Sequence, residues 1–574
     1  MKSMCKIVQA TTAAAWLAGC GAEPAPEAPP EPPADLVIVG EHIVTMDEAF
    51  AGATAVAVRG ERIAAVGDAD EVLPLAGPDT RTVELGDRAL TPGFIDAHGH
   101  VSFVARLIDF VNLSSPPVGP VRNMDDIVRL LAKRVAEREL PAGEWLFGYG
   151  YDDSLIAENR HPTRDDLDRV SLEHPIALMH VSGHLAAVNS AALAAVGMDG
   201  STPDPDGGVI RRRPGTNEPN GVMEETAAAT FTLGQFGQID AERYEAQLRR
   251  ALDYHAAFGI TTVQDGGAIP PDVAVMRAAA GREPFPVDVV AYVFVSTLSD
   301  GAIDEFVADS AYTGGFRVGG VKFGLDGSPQ GRTAWLSQPY AEGPDNAPDD
   351  YVAYPTYDID TYKRQVAGFI GRGVPVLVHA NGDAAIDAMI EGVAGAVDAD
   401  ALPDHRSVII HAQLTRADQL PLVKALGIVP SYYAAHPFFW GDWHRRSFGE
   451  ERAAFISPMK ATLEQDIPFT IHNDAPVVPP DIMRLVHIAV NRTTRSGHVL
   501  GADQRLSAPE ALHAVTLGAA YQYFEEDTKG SITPGKRADL VILGENPLTA
   551  DPATLADIPV IETFARGKSV FRLE

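Results

Sequence analysis

The sequence predicts an α/β protein, a (β/α)8 TIM barrel joined to a composite β-sandwich formed from both termini, on three observations. Eight short apolar runs end in polar or glycine-rich turns, and helical periodicity lies between several of them, the pattern of a parallel closed barrel. Two small sets of β-rich runs lie at opposite ends of the chain, each with too few strands to be stable alone. The chain has 574 residues, more than the roughly 250 to 300 at which a single core stops growing, so a second domain is expected.

Residues 1–20 read as a lipoprotein signal peptide. Lys2 and Lys6 precede an apolar stretch from Ile7 to Leu17 that is too short to span a bilayer permanently. Leu17-Ala18-Gly19-Cys20 resembles a bacterial lipobox, which makes Cys20 the lipidated first residue after cleavage. Both cysteines, Cys5 and Cys20, fall here, so the mature body carries no disulfide, as suits an oxidising compartment where a stray thiol is a liability. Residues 21–34 form a Pro/Ala/Glu tether biased toward extended polyproline conformations. The expected location is the periplasmic side of a bacterial membrane, with Gly21 rather than Asp after the cysteine pointing to the outer one.

The sandwich begins at residues 35–90, with Leu36-Val37-Ile38-Val39, Ala55-Val56-Ala57-Val58 and Arg62 to Gly67 as strands. It is completed by residues 526–574, where Asp539 to Leu543 and Val570-Phe571 return to the same pattern. Residues 91–525 hold the barrel. Its expected strands are Phe94 to His98, Ile176 to His180, Ile260 to Val263, Gly320 to Phe323, Val376 to His379, Val408 to His411, Ile428 to Tyr432 and Phe469 to His472. Ile127 to Val135 has helical periodicity. The gap after the first strand is too long for one helix, so an insertion at about 102–255, with its turn-rich segment Pro203 to Gly221, is expected over the barrel mouth.

Composition bounds the partners. Hydrophobic residues at 45% and charged residues at 22% are those of a folded globular chain. The formal charge of −32 repels phosphate backbones, so nucleic acid is excluded as a partner. A small-molecule substrate is expected, with membrane contact only through the N-terminal lipid and with homodimer formation left open.

His98-Gly99-His100 sits at the end of the first strand, where period-2 alternation points both imidazoles to one face. In a barrel that face is the interior, and sites form at the C-terminal strand ends. His379 closes Val374-Pro375-Val376-Leu377-Val378, His411 closes Ser407-Val408-Ile409-Ile410, and Asp474 follows the eighth strand. Four histidines and a carboxylate on one rim suit zinc or a similar divalent metal, one or two ions per chain. Lys322 ends the fourth strand, where an ammonium facing cations is costly. A lowered pKa and carboxylation by CO2 would make it an anionic bridge, and a neutral or ion-paired lysine beside one metal is the alternative. His184, and His436 with Trp440 among the aromatic residues Phe438, Phe439 and Trp443, are candidate substrate-binding groups. No GxSxG elbow accompanies any serine.

Thr91-Pro92-Gly93-Phe94-Ile95-Asp96-Ala97-His98-Gly99-His100, the strand-terminal His379, His411 and Asp474, and Gly530 to Leu540 together resemble the amidohydrolase superfamily. Arg160 to Leu167, Ser182-Gly183-His184 with Val188-Asn189-Ser190, and Val321-Lys322-Phe323 through Ser328 narrow the resemblance to the amidohydrolase family 3 branch, which includes N-substituted formamide deformylase-like proteins. The resemblance implies a barrel with a composite sandwich and a metal-activated hydroxide that cleaves a C–N bond of amide type. Asp474 is then both ligand and catalytic proton shuttle. His472-Asn473-Asp474 departs from the Gly-Ser-Asp of many relatives, which bears on pocket polarity. A deaminase or a carbamate or ester hydrolase would suit the same metal site, and a lipid-tethered binding protein without catalysis is the reading from another class.

Overall fold

The computed structural model describes residues 32–574 except 139–140, 154, 182, 184, 206–207, 232–239, 345–346 and 398–401. Cys20, the signal segment, most of the tether and His184 lie outside the described residues.

Eight parallel strands form the barrel: Phe94–Ile95, Ile260–Ala268, Asp288–Phe294, Phe316–Gly324, Val376–Ala380, Val408–His411, Val429–Tyr433 and Thr470–His472. They neighbour one another in sequence order. Just past the first and last strands the Asp474 amide donates to the His98 carbonyl (3.0 Å) and the His100 amide to the Ala475 carbonyl (2.9 Å). These bonds close the sheet at the rim where the histidines stand. Most strands are buried on both faces and read as continuous apolar runs, such as Val376-Leu377-Val378, because helices cover them outside and side chains fill them inside.

One expected strand is corrected. Ile176–His180 is not a barrel strand, and the third position belongs to Asp288–Phe294. Both are short apolar runs, and periodicity alone does not say which sheet such a run joins. Ile176–His180 is captured by near neighbours instead. It pairs parallel with Leu146–Tyr151 and antiparallel with Leu185–Val188. The insertion thereby builds its own six-stranded sheet, which ends in the hairpin Gly208–Arg212 and Pro219–Glu225 within the turn-rich segment.

Two four-stranded sheets make the sandwich. One holds Ala34–Val39, Ala55–Arg59, Arg62–Gly67 and Ala76–Glu84; the other holds Ala89–Pro92, Leu540–Leu543, Val560–Ala565 and Lys568–Arg572. Leu36, Ile38 and Val56 of the first meet Leu540, Ile542 and Phe564 of the second in one buried cluster. Each of these large side chains contributes roughly 1.5 to 3 kcal/mol by leaving water. At the base of the barrel, Asp288 at the start of the third strand is buried among Lys529 (2.7 Å), Arg537 (2.7 Å) and Arg566, all from the C-terminal segment.

Candidate metal centre

The barrel rim brings His98, His100, Lys322, His379, His411 and Asp474 to one place. Asp474 Oδ1 lies 3.3 Å from His100 Nε2 and 3.7 Å from His98 Nε2. Donors bound at about 2.0 to 2.2 Å around a tetrahedral ion lie roughly 3.3 to 3.6 Å apart, so this spacing fits one. The Lys322 amine reaches His98 Nε2 at 3.2 Å. The rings of His379 and His411 pair at 4.6 Å, and His411 is 5.8 Å from His98.

Each buried imidazole is held from behind, which fixes its tautomer. Gln264 Nε2 donates to the Ala97 carbonyl (2.8 Å) and to Tyr523 Oη (2.7 Å), whose own proton goes to the Asp96 carbonyl (2.7 Å). That leaves Gln264 Oε1 to accept from His98 Nδ1 at 2.6 Å, so His98 Nε2 presents its lone pair to the cleft. Asp326 accepts from His379 Nδ1 (3.1 Å) and from the Asn381, Gly382 and Trp335 amides. His472 Nε2 lies 3.2 Å from His411 Nδ1, with its own Nδ1 2.8 Å from Ser431 Oγ. A neutral His472 that donates to Ser431 accepts from His411, freeing His411 Nε2. Such partners orient metal-binding histidines and raise their basicity.

The electrostatics agree with a cation site. Burial, with Lys322 and neighbouring histidines adding, pushes protonation of His98 well below the usual histidine range, and burial with His379 and His472 does the same to His411. Both therefore offer the neutral form that binds metal. Burial alone would raise Asp474, but the hydrogen bond and charge of His100, then His472 and Lys322, hold it below the ordinary carboxylate value. Burial brings Lys322 down to about 7 against the pull of Asp474. His411 and Asp474 are also non-glycine residues in left-handed backbone, at φ of 75° and 56°. Such conformations cost energy and gather where a site over-determines the chain.

His436 and Trp440 lie on the helix that follows the seventh strand. His436 is buried on the helix His436–Phe448, its ring 4.7 Å from Tyr433 and 6.3 Å from His411. Trp440 packs behind Tyr433 and Phe439, and Trp443 lies under Arg332. His436 is buried and Trp440 and Trp443 are half-buried, and none of the three lines the two cavities described below. Gln264, Asp326 and His472 were not assigned orienting roles from sequence. Asp326 and His472 stood within quoted motifs, but a partner 53 or 61 residues away is invisible to spacing.

Two cavities meet at His100. One of about 310 Å³ contains His98, Lys322 and His379 beside Phe294 and Tyr357. The other, about 660 Å³, runs beneath the inserted sheet between Phe103, Leu107, Phe110 and Met179, and reaches Ala475 beside Asp474.

A barrel with a histidine-rich cation site at its C-terminal rim defines a metal-dependent hydrolase class. The family model described as "Amidohydrolase family" matches residues 81–571, and the chain belongs to that family. It is a metal-dependent hydrolase of carbon–nitrogen bonds other than peptide bonds. It is 28% identical to N-substituted formamide deformylase of Arthrobacter pascens over 544 residues, 93% of this chain and 97% of that protein. It is 26% identical to Protein LONG AFTER FAR-RED 3 of Arabidopsis thaliana over 550 residues, 94% and 92% of the two chains. Among solved structures it shares its fold with an uncharacterized metal-dependent hydrolase from Pyrococcus furiosus, with a TM-score of 0.70 and 24% identity over 90% of this chain and 100% of that one.

Proposed function

We propose that the chain hydrolyses an amide-type C–N bond of a small molecule whose apolar portion lies in the cavity under the inserted sheet. The observation that carries this is the junction at His100, where a cluster of cation donors opens directly onto a large apolar chamber. The relative named as an N-substituted formamide deformylase supports the bond type.

The group to be held is zinc, up to two ions. His98, His100 and Asp474 would hold one, His379 and His411 the other, with Lys322 between them. A bound divalent cation lowers the pKa of water toward about 7 and polarises a carbonyl. Asp474 would take the proton of the attacking water and carry it to the leaving nitrogen, and its lowered pKa keeps it in the ionised form that can accept one. Tyr433 lies buried in the same wall with its hydroxyl unpartnered among the described residues. Burial, and then the charge of Asp474, keeps that hydroxyl protonated.

Lys322 is proposed to be carboxylated. Among the described residues no carboxylate lies within ion-pair reach of its amine, and burial favours the neutral form that attacks CO2. The nitrogen bonds to the carbon of CO2 and releases one proton, leaving a carbamate anion where a cation would oppose metal. Elemental analysis checks this. Lys322→Ala should lower bound zinc by about one ion per chain and remove most turnover. A variant that keeps most activity, with one ion at the wild-type barrel rim, would replace the bridged centre with a mononuclear one.

We further propose that Cys20 is lipidated and that the enzyme works on the periplasmic side of the outer membrane. The support is the lipobox and the tether that follows it.

A further inference from the structure

The inserted sheet carries a second constellation of cation donors that the hydrolytic reaction does not use. Tyr151 and His180 are register partners at the ends of adjacent parallel strands, and Asp153 follows two residues after Tyr151. His161 returns to the same point from the loop beyond. Asp153 Oδ1 lies 3.0 Å from His180 Nε2 and 3.7 Å from His161 Nδ1. One donor atom from each of the three falls within 4.8 Å of the other two. The two imidazoles are mostly buried, with side-chain exposures of 13% and 11%, and the carboxylate is 33% exposed.

The cluster is built rather than incidental. Arg160 grips Asp166 with two hydrogen bonds of 2.7 and 2.9 Å, and Asp166 closes a capping box with Thr163 at the start of the helix Arg164–Asp168. These bonds fix the loop that presents His161. Tyr151, fully buried, brings its Oη to 3.4 Å from His161 Nδ1, the nitrogen that also faces Asp153. The nearby guanidinium of Arg211 is paired with Glu224, though its charge still acts on His161.

The geometry points to a second divalent-cation site at Asp153, His161 and His180, separate from the barrel centre. Two imidazoles and one carboxylate are a borderline donor set that favours zinc or a similar transition-metal ion over calcium or magnesium. The separations of 3.0 and 3.7 Å bracket the roughly 3.3 to 3.4 Å between donors on a tetrahedral ion at about 2.0 to 2.1 Å. Three protein donors leave a coordination position for water. His180 lines the large cavity that His100 also lines. An ion there would brace the roof of the substrate chamber by tying the loop after one strand to the end of the next.

The test is zinc stoichiometry on the full chain in two backgrounds. The purified protein is loaded with excess zinc, freed of loose metal by gel filtration and measured by elemental analysis, with folding followed by circular dichroism. His161→Ala should bind about one ion per chain fewer than wild type. In the barrel background His98→Ala/His379→Ala, the ion that remains should disappear when His161→Ala is added. Asp153→Asn, which keeps size and shape, provides the same comparison if the histidine variant folds poorly. An anomalous difference map at the zinc edge should show a peak between the three side chains. Equal zinc content with and without the triad in both backgrounds, with no peak there, would overturn the proposal and leave a hydrogen-bonded Asp-His cluster only.

Discussion

At the scale of single residues, three of the four rim histidines are oriented by a hydrogen bond behind the ring. Gln264, Asp326 and His472 occupy the back nitrogens of His98, His379 and His411, so these rings cannot swing away from the cleft. Asp474, which pairs with His100, is the group proposed to move protons. Asp474→Asn keeps the size and one oxygen acceptor but cannot accept a proton near neutral pH. Turnover should fall by about 10²- to 10⁴-fold with zinc partly retained and the fold intact, as measured by steady-state rates beside metal analysis. A near wild-type rate in a zinc-loaded Asn variant would hand the proton to another group. The strand-terminal positions of the donors were legible in the sequence, since each is a polar residue where an apolar run stops. Their supports were not, because a buried side-chain bond between distant strands leaves no period or spacing to read.

At the scale of elements, the chain shows what periodicity does and does not specify. The number of barrel strands was legible, but the membership of one was not. Asp288–Phe294 ends in Phe294 and Val295 without a polar ligand to mark it, while Ile176–His180 ends in a histidine and looks like a barrel strand. The placement of Asp288 has an energetic consequence. Burial alone would raise its pKa, but Lys529, Arg537 and Arg566 hold it below the ordinary carboxylate value. Burial opposes the charge on Lys529, while Asp288, with Tyr312 and Glu525, raises its pKa above the usual range. The carboxylate with a depressed pKa contributes stability that is present above about pH 4 and lost as pH falls through its folded value. The raised lysine contributes stability that is lost only in strong alkali. Asp288→Asn should therefore cost about 3 to 5 kcal/mol at pH 7, since it removes the buried carboxylate that Lys529, Arg537 and Arg566 share. In denaturant titrations the gap to wild type should narrow below about pH 4. A gap independent of pH would mean that packing, not charge, carries the effect.

At the scale of the whole molecule, both ends of the chain close one sandwich while the middle closes the barrel. The insertion roofs the mouth with a sheet of its own. The composite sandwich was foreseeable because neither terminal set of strands could be stable alone. The six-stranded sheet was not, because its parallel half depends on which distant runs meet. Among the described residues no helix is long and apolar enough to cross a membrane. The proposed attachment is through Cys20. Cys20→Ala should move the protein from the membrane fraction to the soluble fraction on fractionation of cells, and its persistence with membranes would count against lipidation.

The central claim is that cations held at the barrel rim drive cleavage of a C–N bond whose apolar substituent occupies the roofed cavity. The most direct measurement is product release by metal-stripped and zinc-reloaded protein across a panel of N-formyl and N-acyl amines with apolar substituents. The prediction is acid and amine in equal amounts from the reloaded enzyme, loss of turnover on chelation and recovery on zinc addition. Turnover that survives complete metal removal, or ammonia released from a ring in place of paired acid and amine, would contradict it.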